Sequence, residues 1–177
     1  AFSLFTLQST LAQAPAVAQP PPAQTDGFLD VPWGSDPESA KKPFASRTRS
    51  RLDRAARSNE KLQFIGGKFA GLKVSKFDLH FASDRFWKAD VVFEAVSKDH
   101  RKEFATLKQL LIEKYGPPSS DNMHGDDLTV EWYLPGIPGT DKDKINLTTD
   151  IRGNGMKLFY AADRIARRPV GAPKAPD

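Results

Sequence analysis

Between residues 64 and 96 polar and apolar positions alternate. Phe77, Leu79 and Phe81 alternate with Lys76, Asp78 and His80; after the polar turn Ser83-Asp84-Arg85, Trp87, Ala89, Val91, Phe93 and Ala95 alternate with Lys88, Asp90 and Glu94. A period of two puts one set of side chains on one face of a strand, so this segment predicts an antiparallel hairpin with a single buried face. Leu72 and Val74 have the opposite parity, which predicts a bulge or break near Ser75.

The period then changes. In 99–115 Phe104, Leu107, Leu111 and Tyr115 recur at spacings of three and four, Asp99 is placed to cap the start, and Gly116 before Pro117-Pro118 gives a left-handed cap and a stop. Beyond a polar loop, Leu128, Val130, Trp132 and Leu134 alternate, as do Ile145, Leu147, Thr149 and Ile151, and Gly153-Asn154-Gly155 signals a tight turn before Met156, Leu158 and Tyr160. These segments predict a three-stranded meander.

At the front, Phe28, Leu29 and Val31 predict a short strand ending at Pro32. Ser35 and Glu38 have the spacing of a capping box, with Pro37 in the first turn of a helix that Pro43 is expected to kink or divide. Past the proline, Ala45, Leu52, Ala55 and Ala56 form a thin apolar stripe and Arg47, Arg51 and Arg54 share another helix face. The expected fold is α+β: antiparallel sheet with two main helices packed on one face, in the order β-α-βββ-α-βββ.

Composition narrows the setting. Residues 1–18 read as a truncated secretory signal peptide, with Ala16-Val17-Ala18 preferred over Ala12-Gln13-Ala14 as the cleavage motif; the bland alternative is an Ala/Pro-rich disordered tail. Residues 19–26 are a proline-rich linker, 27–165 a single domain and 166–177 a disordered tail. The chain has no cysteine, hence no disulfide and no thiolate chemistry, and a periplasmic or secreted protein with no transmembrane segment fits best.

Net charge is +4, but Lys41, Lys42, Arg47, Arg49, Arg51, Arg54 and Arg57 stand against Asp53 alone, so the rest of the chain sums to −2. This run is the one feature above background. Arg47, Arg51, Arg54, Lys41 and Lys42 are the candidate binding residues, for an anionic envelope component such as lipid, lipopolysaccharide or an acidic protein. The bland reading is a solvated basic helix. Nucleic acid is disfavoured as a partner, since no aromatic side chains interleave with the basic ones.

Other chemistry is sparse. Trp33 is a candidate stacking platform, against the commoner role of closing one end of a core. His80 with Asp78 offers two ligands on a strand face and no third; His124 with Asp121, Asp126 and Asp127 matches no calcium or zinc spacing; His100 reads as exposed. "IGGKF" lacks the spacing of a phosphate loop and "GNG" lacks the third glycine of a dinucleotide fingerprint. No catalytic residue, metal ligand or cofactor site is assigned.

"FLDVPWGSDPES", the later hairpin, "LLIEKYGPP", "TVEWYL" and "MKLFYAA" resemble, in order and spacing, a loose group of small bacterial exported proteins of unknown function that begin with a motif like F-x-x-[IV]-x-W-G-x-[ST]-x-E. The resemblance covers 27–162 and implies fold and location, without an activity. The leading expectation is therefore an exported non-catalytic binding domain. A small hydrolase-type enzyme with a site assembled from distant residues is the alternative, and a nucleic-acid binder the third.

Overall fold

A computed structural model describes residues 25–56, 58–94, 101–125, 127–134, 143–150 and 155–166. The leader, most of the proline-rich linker, Arg57, Ala95, Asp99, His100, Asp126, Ile151, the Gly153-Asn154 turn and the tail from residue 167 lie outside the described residues.

The fold is α+β. A two-residue ladder pairs β1 (Gly27–Phe28) with β2 (Val31–Pro32), and α1 (Pro37–Thr48) follows. Then come β3 (Arg51–Leu52), β4 (Lys61–Ile65), β5 (Lys68–Phe69), β6 (Leu72–Ala82), β7 (Arg85–Phe93) and α2 (Arg101–Tyr115). The chain continues through β8 (Ser120–Asn122), β9 (Asp127–Leu134), β10 (Asp143–Asp150), β11 (Gly155–Ala161) and a helical turn, α3 (Asp163–Ala166). The main sheet is antiparallel in the order β3-β4-β6-β7-β11-β10-β9-β8, with β5 paired beside it to β6. β11 against β7 fuses the early hairpin and the late meander into one sheet.

Cross-strand register builds the core. Phe64, Phe77, Val91, Leu158, Leu147 and Val130 lie in one row across six strands, and Leu62, Leu79, Ala89, Tyr160, Ile145 and Trp132 in the next, all buried. Phe44 of α1 meets Phe64 at 4.8 Å and Phe77 at 5.2 Å between ring centroids; Tyr115 of α2 meets Tyr160 at 6.1 Å. The periodic positions of α2, Phe104, Leu107, Leu111 and Tyr115, are its buried face. Trp132 donates its indole N–H to the Gly116 carbonyl at 2.9 Å, tying the end of that helix to β9.

Three two-residue turns, Leu29-Asp30, Ala70-Gly71 and Ser83-Asp84, have positive φ at both positions, the geometry whose twist matches flanking antiparallel strands. The predicted irregularity at Ser75 is present: Val74 pairs with Phe93 and Lys76 with Val92. A second register shift was not anticipated. His80 pairs with Lys88 but Phe81 with Phe86, so Trp87 is the extra residue, and Phe86 rather than Trp87 is fully buried.

The front of the domain corrects the sequence reading at four points. The single strand expected over Phe28, Leu29 and Val31 is a hairpin that turns at Leu29-Asp30. The N-cap of α1 is Asp36, whose carboxylate accepts from the Glu38 and Ser39 amides at 2.9 and 3.0 Å; Ser35 instead donates its hydroxyl to the Pro32 carbonyl. Pro43 does not divide the helix, which runs from Pro37 to Thr48. The helix also stops before Arg51 and Arg54. Arg49 is left-handed (φ 55°), the Thr48 hydroxyl turns back onto the Phe44 carbonyl, and β3 pairs Arg51 with Ile65 and Leu52 with Phe64. Long-range pairing with β4 outweighs local helix propensity there.

Gly66 and Gly67, the glycines of "IGGKF", are a turn of positive φ after β4. A Cβ on Gly67 would lie 2.6 Å from the Thr48 carbonyl oxygen, so glycine is needed for the backbone to pass the end of α1.

Candidate functional site

The β1–β2 hairpin stands outside the main sheet, and a cavity opens between it, the β5–β6 turn and α2. Gly27, Phe28, Leu29, Phe69, Ala70, Leu107, Leu110, Leu111, Lys114, Tyr115 and Tyr160 line it, with a volume of about 460 Å³. That volume lies in the range of small-molecule sites, and the walls are mostly aliphatic and aromatic.

Local sequence shapes this site closely. Gly27 is required at the hairpin base, because a Cβ there would lie 2.2 Å from the Val31 carbonyl oxygen. Leu29 carries φ 47° at the turn, a left-handed conformation that is strained for a branched hydrophobic residue. Its half-buried side chain packs against the core and lines the cavity. Phe28 anchors the hairpin through rings of three elements, Tyr160 at 4.9 Å, Phe69 at 5.8 Å and Phe44 at 6.1 Å.

The polar side chains of the cavity are the Lys114 ammonium and the phenols of Tyr115 and Tyr160. Burial first, then the neighbouring Tyr115 phenol and the hydrogen bond with it, hold Tyr160 well above the usual tyrosine range, so this phenol stays protonated. Lys114 stands at the rim, its ammonium 5.1 Å from the centre of the Tyr115 ring.

A second depression of about 340 Å³ shares Gly27, Leu29 and Lys114 with the first, so the two meet edge to edge. Its other lining residues are Asp26, Asp30, Val31, Pro32 and Arg47. The pair thus forms an apolar chamber with a polar mouth.

The sequence-predicted basic residues separate in space. Arg47 reaches the mouth, where its Nε lies 3.4 Å from the Asp30 carboxylate. Lys41 pairs with Glu38 one helical turn back. Lys42 and Arg54 are exposed, and neither lines the chamber or its mouth. Arg51 lies in register with Ile65, Lys76, Val92 and Lys157 on the sheet face opposite the core rows.

That outward face also carries Lys61, Lys88 and Lys144, interspersed with the carboxylates of Asp78, Asp90, Asp127 and Glu131. Many of its charges neutralise one another. Lys76 reaches Asp78 at 3.3 Å, Lys88 reaches Asp90 at 3.0 Å, and Lys144 reaches Glu131 at 2.7 Å while lying over the Phe159 and Tyr133 rings. Among the described residues no carboxylate lies within ion-pair distance of Arg51 or Lys157.

His80 pairs with Asp90 at 2.7 Å, not with Asp78, which Gln63 and two lysines occupy. Burial alone would raise Asp90, but hydrogen bonds from His80 and Lys88 outweigh it and hold the carboxyl below its ordinary range. His124 is exposed, and its neighbour Asp121 is engaged by Lys108. Among the described residues no three His, Cys, Asp or Glu side chains gather into a metal site, and no helix is long and apolar enough to cross a membrane.

Trp33 stacks on Phe86 at 4.7 Å and donates toward the Thr25 hydroxyl at 3.4 Å; it lines neither the chamber nor its mouth. Thr25 in turn bonds Asp143, which pairs with Arg164 at 3.2 Å, so this cluster fastens the start of the described chain to its end. Burial raises the Asp143 carboxyl, and Arg164 and Thr25 only partly offset the shift.

The chamber draws on positions 27–29, 69–70, 107–115 and 160, and sequence reasoning assigned none of them a binding role. No local signal marked it, because Phe28, Leu29 and Val31 have the hydrophobic character of a single short strand. Compared with family models, curated proteins and solved structures, the chain matches none of them.

Proposed function

We propose that this protein is an exported, non-catalytic binding domain whose ligand places an apolar group in the chamber between the β1–β2 hairpin and α2. The observation that carries this reading is the chamber itself: an apolar volume of ligand size, joined to a polar mouth, with a strained residue held at the junction. Export to the periplasm or medium rests on the leader-like residues 1–18 and on the resemblance to small exported proteins. Both helices lie in this reading on the face that carries Phe64, Phe77 and Tyr160, leaving the opposite face to solvent.

The test is a fluorescence titration with the uncharged probe N-phenyl-1-naphthylamine. The wild type is expected to bind it saturably. Leu110→Trp fills the chamber from a position that is 40% exposed, so it is expected to weaken binding at least tenfold without lowering the unfolding temperature. Absence of saturable binding, or full binding by Leu110→Trp, refutes the proposal.

A second reading, contact with an anionic envelope component, draws support from the outward sheet face, where Arg51 and Lys157 lie in one register row and have no carboxylate within ion-pair distance among the described residues. It predicts salt-sensitive binding to anionic vesicles that Arg51→Gln with Lys157→Gln reduces. Arg47→Gln alone would leave it unchanged.

A further inference from the structure

The mouth of the chamber carries charge of both signs in equal number. Arg47 and Lys114 face Asp26 and Asp30 around one depression. Arg47 and Asp30 already engage each other at 3.4 Å, and both are well exposed. Among the described residues, Lys114 has no carboxylate and Asp26 no cation within ion-pair distance. Lys114 lies on the last turn of α2, where it borders both depressions, while Asp26 precedes the hairpin and lines only the polar one.

An unpaired cation and an unpaired carboxylate at one opening set a definite rule for what enters. An anionic head gains from Lys114 and loses against Asp26; a cationic head does the reverse; Coulomb terms of opposite sign offset each other in each case. A head that carries both charges avoids the loss. We propose that the ligand is a single-chain zwitterionic amphiphile, its tail in the chamber, its anionic group at Lys114 and its cationic group at Asp26. The assignment rests on the chamber being a ligand site and adds the class of ligand.

Three features of the chamber fit such a tail. Its walls are aliphatic and aromatic, its two phenols sit where the β11 and α2 rings meet, and no carboxylate lines it. A charged group therefore finds a partner only at the mouth, which fixes the orientation of the amphiphile.

The test is displacement of N-phenyl-1-naphthylamine from the full chain by dodecylphosphocholine, dodecyl phosphate and dodecyltrimethylammonium, each below its micelle-forming concentration. The zwitterion is expected to displace the probe at about fivefold lower concentration than either singly charged homologue, the gain of one exposed ion pair. Lys114→Gln should then make the cationic homologue the best competitor, and Asp26→Asn the anionic one. If the probe binds but the three homologues compete equally, or dodecyl phosphate competes best against the wild type, the zwitterion assignment is wrong and the chamber stands. If the probe does not bind, the chamber reading fails and takes the assignment with it. The wild-type ranking decides the matter even if a variant folds poorly.

Discussion

Replacing Leu29 by glycine sets three terms of known sign against one another. Leu29 holds φ 47° at the hairpin tip, and the left-handed region costs an L-residue about 1–2 kcal/mol that glycine does not pay. Glycine brings an unfolded-state entropy cost of about 0.5–1 kcal/mol. The half-buried leucyl group gives up about 1 kcal/mol of apolar burial, less than a fully buried one would. The sum lies within about 1 kcal/mol of zero, whereas an unstrained core leucine cut to alanine costs about 2–5 kcal/mol. Urea unfolding monitored by tryptophan fluorescence reads the difference, and probe binding to the same variant should weaken severalfold because a chamber wall is gone. A loss above about 2 kcal/mol would refute the reasoning: Leu29 would then be an ordinary core contact and its backbone unstrained.

Two further outcomes follow from the packing and charges. Phe44→Ala should cost about 3–5 kcal/mol in the same unfolding assay, since a fully buried ring in contact with Phe28, Phe64 and Phe77 leaves a cavity that its neighbours cannot close. Asp90 and Asp143 should bend the stability profile in opposite directions. Asp90 is held below its ordinary 3.8, so the unfolded chain binds more protons in that window, and stability falls as pH drops below 3.8 through the folded value. Asp143 is raised above 3.8, so stability falls as pH climbs from 3.8 through the folded value. Asp90→Asn should lessen the first slope, to which Asp36 and Glu131 also contribute, and Asp143→Asn should remove the second, read from unfolding midpoints between pH values on either side of 3.8.

Periodicity revealed the regular parts of this fold because burial there is one-sided. The run Phe104, Leu107, Leu111, Tyr115 and the alternating residues of β6, β9, β10 and β11 face the core as their spacing requires. Parity failed where the ladder gained a residue. Trp87 shares parity with Ala89, and only the register shift beside Phe81 hands its inward place to Phe86. The first helix was misread for a different reason: nothing within residues 45–54 announces that Leu52 will pair with Phe64 twelve positions later. Ser35 and Asp36 are both competent caps, and the turn that places Ser35 against Pro32 decides between them. The chamber could not be read at all, since its walls come from four separated segments and its defining strain is a backbone angle.

The β1–β2 hairpin explains why the chamber belongs where it is. Its two-residue ladder is not extended by the main sheet, so its position depends on side chains, with Phe28 wedged among Phe44, Phe69 and Tyr160 and Val31 buried beneath. A backbone amide from Gly34 to the Phe86 carbonyl, and one from Phe86 to the Ser35 carbonyl, fix the exit of the hairpin to β7 but leave its tip to side chains, the packing of Leu29 and the Arg47–Asp30 ion pair. Elements held by few ladder bonds open at lower free energy than the central strands. A ligand seated between this tip and α2, as proposed, would add contacts where ladder bonds are few, and its binding would stabilise the folded state by an amount that grows with the logarithm of its concentration above Kd. In the proposed reading, the strain at Leu29 therefore lies at a part of the chamber wall that the main sheet does not support, where ligand contacts have much to stabilise.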